Sequence, residues 1–156
     1  MKKVNFLTKL MKENKLKLVE PSEKIKDSYI KKSESNIASS KILLNNGRLE
    51  ESVSLAYYSM YNITTALLFK VGIKCENHTG VIILLKELFN IDNSDITFAK
   101  KERIDKQYYT DFYITKNEVG EAIRIAENFN KEVFDFISKL NNQNIMNYRK
   151  KFKTLV

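Results

Sequence analysis

The chain has no tryptophan, one proline, four glycines, one cysteine and one histidine in 156 residues. Each scarcity excludes something. So few glycines and prolines leave little punctuation for tight turns, which argues against a fold of many strands and hairpins. A lone cysteine, Cys75, permits no intrachain disulfide and suits a reducing cytoplasm. Cys75 and His78 offer two ligands with no second pair, so no metal is expected. Nothing approaches the roughly 18 consecutive apolar residues of a membrane span, and no membrane partner is expected. The apolar residues at the N-terminus are interrupted by lysines, unlike those of a signal peptide. There is no phosphate-cradling glycine loop and no Ser-His-Asp spacing, and no cofactor is expected.

What is present is helical in character. Eight tyrosines and nine phenylalanines supply core volume, and 156 residues suffice for one domain, read here as residues 1–156. The net charge of +8 is unevenly placed. Residues 1–20 carry six lysines and two glutamates, net +4, and residues 142–156 carry Arg149, Lys150, Lys151 and Lys153 with no acid, also net +4. Residues 21–141 balance to zero. Basic ends on a neutral body suit an anionic partner such as nucleic acid, or serve solubility alone.

Apolar spacing predicts the helices. A weakly amphipathic segment from about Asn5 to Leu18 reads as a short docking helix. Ser22 caps a helix to Asn46, with Ile25, Tyr29, Ile30, Ile37, Ile42 and Leu44 as a rough stripe closed by Gly47. The next runs from about Leu49 to Val71, with Val53, Ala56, Tyr57, Met60, Ile63, Ala66 and Leu67 at three- and four-residue spacing, and Gly72 ends it. A fourth covers about Thr79 to Phe89, its β-branched run Val81–Leu85 read as a buried helix turn, and a fifth lies between Asp95 and Tyr113. The sixth opens on a capping box, Thr115 with Glu118, and continues through Ala122, Ile125, Ala126, Phe129, Val133, Phe136, Ile137 and Leu140. From Asn141 the chain reads as a basic, asparagine-rich tail with Tyr148, Phe152 and Leu155 as anchors. The expected fold is all-α, an antiparallel up-and-down bundle of about five to six helices.

Three features carry candidate chemistry. Tyr57 and Tyr61 lie one turn apart, as do Tyr109 and Tyr113, and tyrosines either pack in a core or stack on bases. His78, at a helix start near Lys74, either bonds the backbone or faces a phosphate with the free amides there. Arg103 either makes surface ion pairs with Glu102 and Asp105 or clamps a phosphate with its forked donors.

The stretches Ala56-Tyr57-Tyr58-Ser59-Met60-Tyr61, Gly72-Ile73-Lys74, His78-Thr79-Gly80-Val81, Glu102-Arg103 before Tyr108-Tyr109, and the Ala122–Phe136 helix together resemble the HEPN domain family. The resemblance spans roughly Ser22 to Leu140. It is strongest with small stand-alone members often encoded beside a minimal nucleotidyltransferase. It implies a homodimer whose arginine-bearing helices meet across a cleft. Many members are metal-independent ribonucleases whose motif is an arginine followed four to six residues later by a histidine. In toxin–antitoxin members the partner nucleotidyltransferase can attach AMP to a nearby tyrosine. Here the histidine position falls on Tyr108, Tyr109 or Thr110, none of them histidine. Tyrosine, with an ordinary pKa of about 10, is a poor base near neutral pH.

The resemblance therefore implies an RNA- or nucleotide-binding protein of a nucleotidyltransferase–HEPN module. Lys74, His78, Arg103, Lys106 and Tyr113 are its candidate binding residues. The alternatives are a metal-independent ribonuclease toxin using Arg103 with Tyr108, Tyr109 and His78, and a purely structural helical dimer.

Overall fold

In a computed structural model, residues 2–108 and 113–156 are described, without the side chains of residues 2, 4 and 105–108. Among them seven helices and one small sheet follow in the order α1 (Lys2–Lys12), β1 (Leu16–Leu18), α2 (Glu23–Asn45), α3 (Leu49–Val71), β2 (Ile73–Cys75), α4 (His78–Glu87), α5 (Ser94–Tyr108), α6 (Lys116–Lys139) and α7 (Asn142–Leu155). The fold is all-α, as the apolar spacing predicts.

α3 is the central helix. Its predicted stripe from Val53 to Leu67 is buried throughout, and Ser52, Ser59, Thr64 and Thr65 on its other faces are buried too. A helix covered on all sides needs partners all round, and α2, α4, α5, α6 and α7 supply them. Gly72 ends it in the left-handed conformation at φ +81°, as a helix C-terminal glycine commonly does. On α6 the buried positions Val119, Ile123, Ala126, Phe129, Val133 and Ile137 keep three- and four-residue spacing. Thr115 caps it, accepting from the amide of Glu118 at 3.2 Å, and donates its hydroxyl to the Glu118 carboxylate at 3.1 Å.

α2 meets α3 through serines as well as through its apolar stripe, of which Tyr29 stacks on Phe69 and Ile30, Ile37 and Leu44 pack against the core. Ser33 Oγ donates to the carbonyl of Ser59, and Ser40 and Ser52 donate to each other's carbonyls, all at 2.7 Å. Small side chains let the two backbones approach, and each buried hydroxyl finds an acceptor. Ile42, expected in the stripe, is 63% exposed.

Two segments differ from expectation. The first helix stops at Lys12, and Leu16–Leu18 pairs antiparallel with Ile73–Cys75 in the register Leu16 with Cys75 and Leu18 with Ile73. This ribbon ties the N-terminal segment to the chain that leads into α4. The tail is a helix, α7, opened by a full capping box between Asn141 and Asn144. Phe152 is wholly buried, which contributes about 2 kcal/mol of apolar transfer. Arg149 Nη1 donates to the carbonyls of Val19, Val71 and Gly72 at 2.8–2.9 Å, and Lys151 Nζ to that of Leu88 at 2.9 Å. Two of the four cations at this end therefore cap other elements of the fold.

Candidate functional site

The site forms where α3, α4 and α5 meet. Asn77 caps α4 by accepting from the amide of Gly80 at 2.8 Å, so His78 falls on the first residue of the helix. Gly80 is closely seated: a Cβ there would lie 2.7 Å from Leu10 Cδ1 and 2.9 Å from Cys75 Sγ, so those side chains would have to shift. The imidazole of His78 then lies on α3. Its ring stacks on Tyr61 at 3.9 Å between centroids and 10° between planes, and the Tyr57 hydroxyl lies 2.7 Å from its Nδ1. Tyr58 meets the same ring edge-on at 6.1 Å.

Arg103 approaches the same tyrosines from α5. Its Cζ lies 5.5 Å from the centroid of Tyr57 and 5.2 Å from that of Tyr58, within cation–π range. One turn earlier, Lys100 Nζ donates to the Thr79 hydroxyl at 2.8 Å, beside His78. Tyr57 is thus touched by both His78 and Arg103, which are distant in sequence.

The charges in the cluster act on one another. Burial, and then the Arg103 and Lys100 cations, hold the His78 pKa below its ordinary 6.5. Burial and Arg103 likewise lower that of Lys100. Burial raises the Tyr57 phenol and pushes Tyr61 up to about 12. Both phenols therefore keep their protons at neutral pH. We assign the Tyr57 hydroxyl as donor to Nδ1, which leaves the neutral ring with its proton on Nε2. The cluster then presents a guanidinium, an ammonium and an imidazole N–H, a set suited to an anion and to phosphate in particular.

Of the sequence candidates, His78 and Arg103 come together. Lys74 does not join them: it lies in β2, its amine paired with Glu76 at 3.0 Å. Tyr113 is 84% exposed in the connection before α6. The side chains of Lys106 and Tyr108, and all of Tyr109, lie outside the described residues. Lys100 and Tyr58 were missed. Lys100 precedes Arg103 by three residues, a spacing that shares a helix face and could have found it. Tyr57, read mainly as core, is both core and site, because its ring is buried and its hydroxyl is the contact to His78.

Cys75 is buried, its thiol 3.5 Å from the Asn77 carbonyl, and burial raises its pKa, which marks an inert thiol. Among the described residues no three His, Cys, Asp or Glu side chains gather as a metal site, and no helix is long and apolar enough to cross a membrane.

The model of the HEPN domain matches residues 26–137 of this chain. The match takes in α3, α4, α5 and almost all of α2 and α6, including every residue of the cluster. The chain belongs to the HEPN domain family. It is also similar to a UPF0332 protein of Pyrococcus horikoshii, 45% identical over 56 residues, which cover 36% of this chain and 39% of the relative. The matched part thus spans about two fifths of that relative's length.

Proposed function

We propose that this chain is the RNA- or nucleotide-binding member of a nucleotidyltransferase–HEPN pair in the cytoplasm. It holds phosphate between Arg103, Lys100 and His78 and acts as a homodimer. The observation that carries the reading is the hydrogen bond between Tyr57 and His78 Nδ1. With the Tyr57 hydroxyl assigned as donor to Nδ1, the imidazole offers the site an N–H rather than a lone pair. A donor beside two cations suits holding a phosphate; abstracting a 2′-hydroxyl proton needs an acceptor. Cationic neighbours further oppose protonation of the empty site, and an incoming phosphate would relieve that repulsion. Family membership supports the partnership and the dimer as expectations. Lys106, Tyr108 and Tyr109 stay in the proposal on their sequence positions after Arg103.

A metal-independent ribonuclease is the second reading. It is favoured by a histidine held neutral near Arg103, which restores to the site the residue that the arginine helix lacks. In it Arg103 would stabilise charge on the phosphate and His78 would move the proton. One experiment separates the two: mixed single-stranded RNA in EDTA with wild type and Arg103→Ala. Binding without cleavage, weakened about tenfold in the variant, is the expected result. Cleavage by wild type that disappears in Arg103→Ala would establish the ribonuclease. Equal binding by both proteins would remove Arg103 from the site.

A further inference from the structure

A cavity of about 380 Å³ lies beside the cluster, between α3, α5 and α6. Its wall is largely apolar, with Val53, Met60, Phe98 and Ile114, and the acids Asp95, Glu118 and Glu121 also line it. Tyr57 belongs both to this wall and to the cation cluster, so the two spaces are neighbours. Glu102, next to Arg103 in sequence, also lines the cavity, and its Oε2 is buried with no hydrogen-bond partner among the described residues. A buried acceptor without a donor is costly to keep, and an ionised carboxylate can only accept.

The occupant that completes such a wall is a mostly apolar body bearing N–H donors, joined to an anion on the Arg103 side. We propose that the cavity takes a nucleobase with an exocyclic amino group (adenine, cytosine or guanine), the amino group donating to Glu102 Oε2. This rests on the phosphate-binding reading above and adds the base to it. The volume is within the range of small-molecule sites, and the apolar wall offers the base faces the contact they lose on leaving water. Uracil fits poorly: its one ring N–H lies between two carbonyl oxygens, which a carboxylate repels. An alkyl chain or a lipid tail would fill the space and leave Oε2 without a donor.

The test measures binding of AMP, CMP, GMP, UMP and ribose 5-phosphate to the full chain by titration calorimetry. At least one amino-bearing nucleotide should bind about tenfold more tightly than UMP, the worth of a charge-assisted hydrogen bond. Glu102→Leu should erase that gap. A gap that persists in Glu102→Leu overturns the role of Oε2. Ribose 5-phosphate binding as well as all four nucleotides overturns the base site and leaves the phosphate reading standing. No binding of any of them, nor of pyrophosphate, overturns both. A second variant, Ala122→Trp, fills the cavity and should bring the best nucleotide down to the affinity of ribose 5-phosphate. Should Ala122→Trp instead break a dimer in sedimentation while the nucleotide gap stays, a second copy occupies the cavity and the proposal falls.

Discussion

The Tyr57 hydroxyl and His78 Nδ1 are 2.7 Å apart, which joins the middle of α3 to the first residue of α4. The bond does two things at once. It satisfies a buried phenol, and it holds the imidazole in one orientation. Tyr57→Phe keeps the ring in the core and removes only the bond. The variant should lose about 1 kcal/mol of stability in urea unfolding, the net worth of one neutral hydrogen bond. It should also bind RNA more weakly, because the imidazole is no longer held in one orientation. An unchanged unfolding midpoint would show that the bond contributes nothing.

The pH dependence has opposite signs in the free and bound protein. His78 is held below its ordinary 6.5, so as pH falls the unfolded chain takes up this proton first. Stability from the neutral ring is complete above about 6.5 and is lost as pH falls toward the lowered folded value. A bound phosphate favours the imidazolium, so affinity for RNA should rise as pH falls toward the lowered folded value. Denaturant unfolding should show wild type losing stability relative to His78→Gln as pH is lowered, while RNA binding by wild type strengthens. Parallel curves for the two proteins would remove His78 from both effects.

The coupling between Arg103 and His78 can be read directly. There is one histidine in the chain, so its ring protons give a single titration curve by NMR. Removing the guanidinium in Arg103→Ala removes a repulsion that lowers the His78 pKa, and the curve should move upward. Lys100→Met should move it in the same direction, since Lys100 is the other cation acting on the ring. A curve that stays in place in both variants would mean that the two cations do not reach the imidazole.

The parts of this fold that announce themselves in the sequence are those whose cause is local. Val53 to Leu67 and Ala126 to Ile137 repeat at helical spacing because one face of each helix is buried, and Ser22, Gly47 and Gly72 mark ends by backbone chemistry. The Leu16–Leu18 and Ile73–Cys75 pair leaves no such trace. Three residues are too few for a period-two pattern, and their partners are remote in the chain. The α2–α3 contact is equally quiet, since Ser33, Ser40, Ser52 and Ser59 read as ordinary polar residues until two helices bring them together. Arg103 and His78 could be singled out as residue types. That they share Tyr57 is a property of packing and could be seen only in three dimensions.

At the basic C-terminal end Arg149 and Lys151 are bonded within the chain, and this supplies the last prediction. Arg149 donates through Nη1 to three carbonyls, those of Val19, Val71 and Gly72, where α3 ends and the chain passes into β2. A Cβ on Gly72 would collide with that same nitrogen and with the Val19 carbonyl, so the glycine makes room for the arginine. Arg149 is thus committed to holding α7 against the end of α3, and its charge offsets the negative end of that helix. Arg149→Ala should cost about 2 kcal/mol, because the carbonyls lose a charged donor. Lys150, exposed on the same helix, should tolerate Ala with an unchanged midpoint. The salt dependence of RNA binding gives an independent measure. Each phosphate contact adds roughly 0.7 to the slope of log K against log salt for a single strand. Arg149→Ala should leave that slope where it is in wild type, since the guanidinium faces carbonyls of its own chain. A shallower slope would place Arg149 on RNA and return this end of the chain to the role its charge suggests.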